Sequence, residues 1–328
     1  YILVFLVPIL FLPWTSDILD VNKQAATVLF SFVALFFWLA KCLAVGKITF
    51  RFNRTHFAVL ALFLACLLST IFSQDSYGSF WGWPRVVSES LLTLISFALI
   101  YFFVAGVFSK KEAQVSLILL ALSGALAILL GVLHLFGLFL PFNFAKSTSF
   151  NTIGLVGSFG FFVAILLPLL IGLAISAKKW LKIIFIASIA LSFLALVLVN
   201  YYIVWWAALL GSVLIILFSV YKKDLFDARW LGLPMFFLVV ALFFIILNPQ
   251  IPLPAKSTEV NLNQKATFDV ALKAVKDAPV LGSGPGTFSF AFGKYRSVDF
   301  NQGRLWNLRF GAGSSKVLTA LATTGILG

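Results

Sequence analysis

Apolar residues in this chain run on with few polar interruptions, and the polar residues gather in short clusters between the runs. A helix needs roughly 20 apolar residues to cross a hydrocarbon layer about 30 Å thick. Ten stretches meet or begin to meet that length: Tyr1 to Trp14, Ala25 to Val45, His56 to Ser73, Glu89 to Phe108, Gln114 to Leu140, Thr152 to Ser176, Leu181 to Leu198, Tyr201 to Val220, Trp230 to Leu247 and Val317 to Gly328. The first and last are incomplete. The pattern predicts an all-α, polytopic transmembrane helical bundle of about ten helices, in a fragment that continues past its C-terminus. Nine helices are expected over 1–247, one large loop over 248–316, and the start of a further helix over 317–328.

Composition agrees with a lipid environment. Hydrophobic residues make up 62% of the 328 and charged residues 11%, too little polar surface to cover a soluble domain. Cys42 and Cys66 fall in or beside apolar runs without a CxxC pattern, and read as small buried apolar residues.

The charge pattern adds an orientation, because short cytoplasmic loops collect Lys and Arg. Alternate short loops and helix ends carry twelve basic residues: Lys41, Lys47, Arg51, Arg54, Lys110, Lys111, Lys178, Lys179, Lys182, Lys222, Lys223 and Arg229. The intervening loops carry three, Lys23, Arg85 and Lys146. The expectation is a cytoplasmic N-terminus and a large loop on the outer side. Trp14, Trp81, Trp83, Trp205 and Trp206 then fall near the outer boundary and Trp180 and Trp230 near the inner one. Half of the basic residues set topology in this scheme, so the net charge of +13 argues for no nucleic-acid partner.

Ionisable groups at mid-membrane, the mark of ion-coupled transport, are scarce. Glu89 and Lys41 lie near helix ends, and His134 is the one clearly embedded titratable group. The large loop is different. It holds Lys256, Lys265, Lys273, Lys276, Lys294, Arg296, Arg304, Arg309 and Lys316 against Glu259, Asp269, Asp277 and Asp299. Such an excess of cations suits either anionic lipid headgroups or a phosphate-bearing substrate, since Arg forks and mobile Lys ammonium groups together clamp a diphosphate.

Within the loop, Gln264 to Asp277 has the period of a short amphipathic helix. Phe268, Leu272 and Val275 are expected on one face and Lys265, Asp269, Lys273 and Lys276 on another, a form that lies in an interface plane. Next come Gly282, Gly284 and Gly286, which read either as a sharp bend or as a turn whose amides cradle an anion. Ser314 and Ser315 look like an N-cap for the last run. No metal-ligand pattern and no cofactor motif stands out. Asp17 and Asp20 are the paired carboxylates of the first outer loop, read as a solvated pair near Lys23 and alternatively as a hold for a divalent ion or an acceptor hydroxyl.

Four segments in order resemble the O-antigen ligase family and its polymerase relatives: Ser79-Phe-Trp-Gly-Trp-Pro-Arg85, Asn151-Thr-Ile-Gly-Leu-Val-Gly-Ser-Phe-Gly160, Pro279-Val-Leu-Gly-Ser-Gly-Pro-Gly-Thr-Phe288 and Leu321-Ala-Thr-Thr-Gly-Ile-Leu-Gly328. The likeness spans most of the chain. It implies a bacterial inner-membrane enzyme that moves a glycan from an undecaprenyl diphosphate carrier to a lipid A core or a growing polysaccharide, without metal or other cofactor. On that footing Arg85, Arg296, Arg304 and Arg309, supported by Lys265, Lys294 and the turn of Gly282, Gly284 and Gly286, are expected to hold the diphosphate. Ser314-Ser315 stands where family members often carry His-Asn, and Asn200-Tyr-Tyr-Ile-Val-Trp205 replaces a Ser-Arg-Gly-like helix entry. The candidates for the general base are then His134, Asp299 and Glu89, with Arg85 also counted among the catalytic groups. The alternatives are another polyprenyl-phosphate-dependent membrane glycosyltransferase, with Asp17 or Asp20 as its acidic catalytic residue, and, from another class, a flippase or exporter of lipid-linked glycans.

Overall fold

A computed structural model describes residues 1–48, 50–82, 86–221, 228–249 and 260–328, without the side chains of Ala228 and Asp299. Among the described residues every regular element is helical. In chain order these are α1 (Ile2–Leu6), α2 (Asp20–Val45), α3 (Thr55–Ile71), α4 (Ser76–Trp81), α5 (Leu91–Phe102), α6 (Lys110–Leu135) and α7 (Val156–Ser176). They continue with α8 (Lys179–Val199), α9 (Tyr202–Tyr221), α10 (Gly232–Leu247), α11 (Gln264–Asp277), α12 (Phe288–Tyr295), α13 (Val298–Gln302) and α14 (Lys316–Thr324).

Six of them, α2, α6, α7, α8, α9 and α10 with the turn that precedes it, are long and apolar enough to cross a membrane. That is fewer than the ten runs in the sequence. Tyr1 to Trp14 yields only the five residues of α1, because Pro8 and Pro13 forbid a continuous helix there. The third, fourth and tenth runs give apolar helices of 10–17 residues, the fourth by α5 continuing into a π-turn over Phe103–Val107.

The chain divides into two compact units, and they interleave in sequence. Unit 1 comprises Tyr1–Leu19 and Lys110–Glu259, and unit 2 comprises Asp20–Ser109 and Val260–Gly328. The large polar segment therefore packs with α2 to α5 in its described part, where the sequence pattern set it apart as a separate loop.

In unit 1, α7 is the central helix, with 56% of its apolar window buried against 22% for α10. Its Phe159, Val163, Leu167 and Leu170 pack with Ile128 and Val132 of α6, Phe185 and Leu196 of α8, and Phe237 of α10. Two glycines of α6 permit that approach. A Cβ on Gly131 would lie 2.5 Å from Phe159 Cζ, and one on Gly124 2.5 Å from Leu166 Cδ2. Small residues at such contacts are what lets helices associate when lipid is as apolar as the helix surface. Trp205, expected at a membrane boundary, is instead 1% exposed and stacked on Phe244, with ring centroids 4.1 Å apart.

In unit 2, α3 and α5 pack together near a cluster of Phe50, Phe52, Tyr101 and Phe102 around the buried His56. His56 Nδ1 meets Tyr101 Oη at 3.1 Å and Nε2 meets the Arg51 carbonyl at 3.1 Å. A second core joins Val270, Ala271 and Ala274 of α11 to Phe288, Ala291 and Phe292 of α12 and Ala322 of α14. Here the burial of α11 runs opposite to expectation: Thr267, Val270, Ala271 and Ala274 face inward, while Phe268 and Leu272 are 51% and 44% exposed. The contact is too close for bulk, since a Cβ on Gly313 would already lie 2.3 Å from Thr267 Cγ2.

Candidate functional site

The functional candidates from the sequence separate into four places. Arg85 lies outside the described residues, as do Trp83, Lys222, Lys223, Lys256 and Glu259. Asp299 falls in α13, its side chain outside the description.

His134 belongs to unit 1 and to its packing. It is 1% exposed between Phe139 and Phe150, its Nδ1 is 3.2 Å from the Ser147 carbonyl, and Nε2 accepts from the Leu140 amide at 3.4 Å. A neutral ring with the proton on Nδ1 satisfies both contacts. Such a ring fastens the turn after α6, and neither nitrogen is left over for a substrate.

The glycine turn is a joint within unit 2. Gly282, Gly284 and Gly286 take φ of 65°, 110° and 72°. The Gly282 amide donates to the Ala278 carbonyl at 3.1 Å and the Gly284 amide to the Thr323 carbonyl at 2.7 Å, so neither amide points at an anion. Ser69 Oγ donates to the Leu281 carbonyl at 2.6 Å, and the Gln74 amide to the Ser283 carbonyl at 3.1 Å, which ties the turn to the end of α3. Gly286 approaches the backbone of Val86, a Cβ there lying 3.4 Å from its carbonyl oxygen.

That approach carries the turn to Glu89, the last residue of a 3-10 turn over Val87–Glu89. Lys316, the first residue of α14, donates to Glu89 Oε1 at 2.6 Å, and their side chains are 72% and 19% exposed respectively. Ser315 caps α14 as expected, accepting from the Leu318 amide. The ion pair borders a 380 Å³ cavity whose other walls include Leu62, Cys66, Leu94, Ala320 and Thr323, a mostly apolar space with one carboxylate and one ammonium at its edge.

The fourth place is a cleft beside α11 and α12. Lys265, Asp269 and Lys273 recur every fourth residue and so share one side of α11. Phe292, Tyr295, Arg296 and Phe300 line the same cleft. The Arg296 guanidinium is placed by its bond to the Trp306 carbonyl at 2.8 Å and by the rings of Phe292 and Phe300, whose centroids are 5.9 and 5.8 Å away. Lys273 Nζ is 3.4 Å from the Tyr295 carbonyl. Three cations against one carboxylate give a volume of 260 Å³ a positive field. The space is small by the measure of ligand pockets, about 300–1,000 Å³, and suits a single phosphate or sugar unit.

Lys294 turns away from that cleft. It donates to Asp277 Oδ2 at 2.6 Å, and the Tyr295 hydroxyl donates to the same oxygen. The Lys294 bond and then the tyrosine bond hold the Asp277 pKa below its ordinary value, and Asp277 in return raises that of Lys294. Because the folded carboxyl is the stronger acid, its contribution is present above the unfolded value of about 3.9 and is lost as pH falls through the lower folded one. Amide exchange at the end of α12, corrected for intrinsic rates, is expected to speed up over that acid range. Asp277→Asn is expected to show the faster exchange at neutral pH and no acid step; an unchanged step in that variant would assign it elsewhere. Arg304 and Arg309 are exposed and join neither cluster.

The structure thus gathers Lys265 with Arg296, and Glu89 with Gly286, and leaves His134 in the other unit. Sequence reasoning missed the aromatic wall of Phe292, Tyr295 and Phe300, whose signal was an aromatic residue every three to five positions after the glycine turn. It also missed the Glu89 partner, 227 residues away.

The chain matches no family model, and neither curated proteins nor solved structures give a match. Fold and site together define a class: a membrane protein whose described residues are all-helical in their regular structure, with six helices of spanning length among them and a basic, aromatic-walled cleft on its polar helices.

Proposed function

We propose that this protein transfers a glycan from an undecaprenyl diphosphate carrier to an acceptor hydroxyl, on a lipid A core or a growing polysaccharide, at the outer face of a bacterial inner membrane. The observation that supports this best is the cleft of Lys265, Lys273 and Arg296, a place for a phosphate or sugar on a protein otherwise built for lipid. The order of the four family-like segments adds to it.

In this scheme the acceptor oxygen attacks the anomeric carbon from the face opposite the carrier. The bond to the diphosphate oxygen breaks, and configuration inverts. Negative charge grows on the leaving oxygen, and Lys265 and Arg296 are the groups assigned to stabilise it. Glu89 is the base assigned to the acceptor proton, with Lys316 orienting its carboxylate.

Glycan transfer by purified protein in vesicles, with undecaprenyl diphosphate glycan and a panel of acceptors, tests the scheme. Lys265→Ala and Arg296→Ala are each expected to lower kcat/KM for the donor by roughly 10- to 100-fold, the worth of a hydrogen bond to a charged group. Glu89→Gln is expected to lower kcat by about 10²-fold or more with donor KM unchanged. Absence of transfer to every acceptor, or full activity of Arg296→Ala, rejects the assignment.

A further inference from the structure

Unit 1 carries a groove on its surface that the scheme above does not use. One face of α7 (Pro168, Gly172, Ser176) and one face of α9 (Gly211, Ile215, Phe218) line an apolar opening of 700 Å³. The helices touch at its closed end, where a Cβ on Gly211 would lie 2.6 Å from Pro168 Cγ. They stand apart at its open end, where a Cβ on Gly172 would meet nothing within 4 Å.

Both walls belong to helices of membrane-spanning length, which suits an acyl chain as the occupant. Its extent gives the occupant a size. Along α9 the lining runs from Gly211 to Tyr221, about 15 Å at the helical rise, which is half of a hydrocarbon core of about 30 Å and hence one leaflet. The open end gives it a charge. Lys178 and Lys179 follow Ser176 after Ala177, both exposed, and Lys182 lies over the Trp230 ring at 4.4 Å from its centroid. Trp180, 65% exposed beside them, marks the depth of lipid headgroups, where amphipathic rings settle.

We propose that this groove is a binding site for an anionic glycerophospholipid, one acyl chain lying between α7 and α9 and the headgroup phosphate meeting Lys178 and Lys179. Bare apolar contact would hold any lipid of the leaflet equally, because tails and helix surface are alike apolar. Selectivity comes from the lysines, and depth of seating from the missing side chain at Gly172.

The test uses the purified protein, delipidated in detergent and offered equimolar phosphatidylglycerol and phosphatidylcholine, with retained lipid weighed by native mass spectrometry. Wild type is expected to keep phosphatidylglycerol over phosphatidylcholine by roughly thirtyfold, the worth of two lysines at a membrane surface. Gly172→Phe and the milder Gly172→Leu fill open space and leave helicity unchanged, and both are expected to lose the retained lipid. Lys178→Ala with Lys179→Ala is expected to retain both lipids equally. Equal retention of the two lipids by wild type, or undiminished phosphatidylglycerol on Gly172→Phe, overturns the proposal. A wild-type dimer that Gly172→Phe converts to monomer also overturns it, since the groove is then the seat of a second copy.

Discussion

Gly284→Ala is expected to destabilise unit 2 strongly, by about 2–6 kcal/mol. Two costs add. At φ of 110° an L-residue is strained by about 1–3 kcal/mol. The new methyl would also lie 1.9 Å from Ser73 Oγ and 2.7 Å from Ser79 Oγ, so the serines must move, and overpacking of this kind costs about 1–3 kcal/mol. Moving them breaks more than one contact, because Ser73 Oγ bonds Ser79 Oγ at 2.8 Å, the Ser283 carbonyl at 3.1 Å and the Asp75 amide at 3.1 Å. Against a typical total of about 5–15 kcal/mol this is a large share. Gly293→Ala is the control: it sits within α12 with nothing within 4 Å of the added Cβ, and helix propensity alone makes it neutral or slightly stabilising. Thermal unfolding of the purified protein decides between them. A midpoint for Gly284→Ala equal to that of Gly293→Ala would show that the turn yields, and that the family-like segment Pro279 to Phe288 is not a rigid joint.

Trp205→Ala is the second large effect, expected to cost about 2–4 kcal/mol in unit 1. In a water-surrounded core such a truncation costs about 3–5 kcal/mol, much of it hydrophobic transfer. A lipid surround weakens that driving force, and what persists is contact and hydrogen bonding. Trp205 stacks on Phe244 at an interplanar angle of 14°, and its Nε1–H donates to Asn200 Oδ1 at 2.9 Å. Asn200 in turn donates to the Pro249 carbonyl at 2.8 Å, while its own left-handed backbone ends α8. Trp205→Ala removes the ring and leaves the half-buried Asn200 amide oxygen without its donor, whereas Trp205→Phe keeps a ring and loses only the N–H. The expected costs are therefore about 1 kcal/mol for Phe and two to four times that for Ala. Equal costs for the two variants would assign the whole effect to the hydrogen bond; no cost for either would remove Trp205 from the core.

The long helices were legible because continuous apolar runs leave no alternative to a helix in lipid, and α6 to α10 fall where the runs do. Tyr1 to Trp14 misled because its composition is apolar while its two prolines break the backbone. α12 and α13, at eight and five residues, are too short to show a period, so the segment 248–316 read as one helix in a loop. The bounds of α11, Gln264 to Asp277, were legible from its polarity and its Asn263 cap, whose side chain accepts from the Ala266 amide. Its buried face was not, because periodicity ranks residues by hydrophobicity, and a contact that excludes bulk selects Ala271 and Ala274 over Phe268 and Leu272. The same limit applies to the site. Charge singled out Lys265 and Arg296, but no sequence pattern pairs Glu89 with Lys316, nor tells that His134 spends both nitrogens on its own turn.

The inverted burial of α11 separates two properties that most amphipathic helices join. On an ordinary helix the large apolar residues both anchor the helix and make it greasy, so neither can change alone. Here Thr267, Val270, Ala271 and Ala274, none larger than a β-branched side chain, do the anchoring, and Phe268 and Leu272 are absent from that core. Each of them contributes about 1.5–3 kcal/mol only if some other apolar phase covers it. Adhesion of this face is therefore free to drift across lineages, strengthened or erased by single substitutions, while the shape of the neighbouring cleft stays as it is.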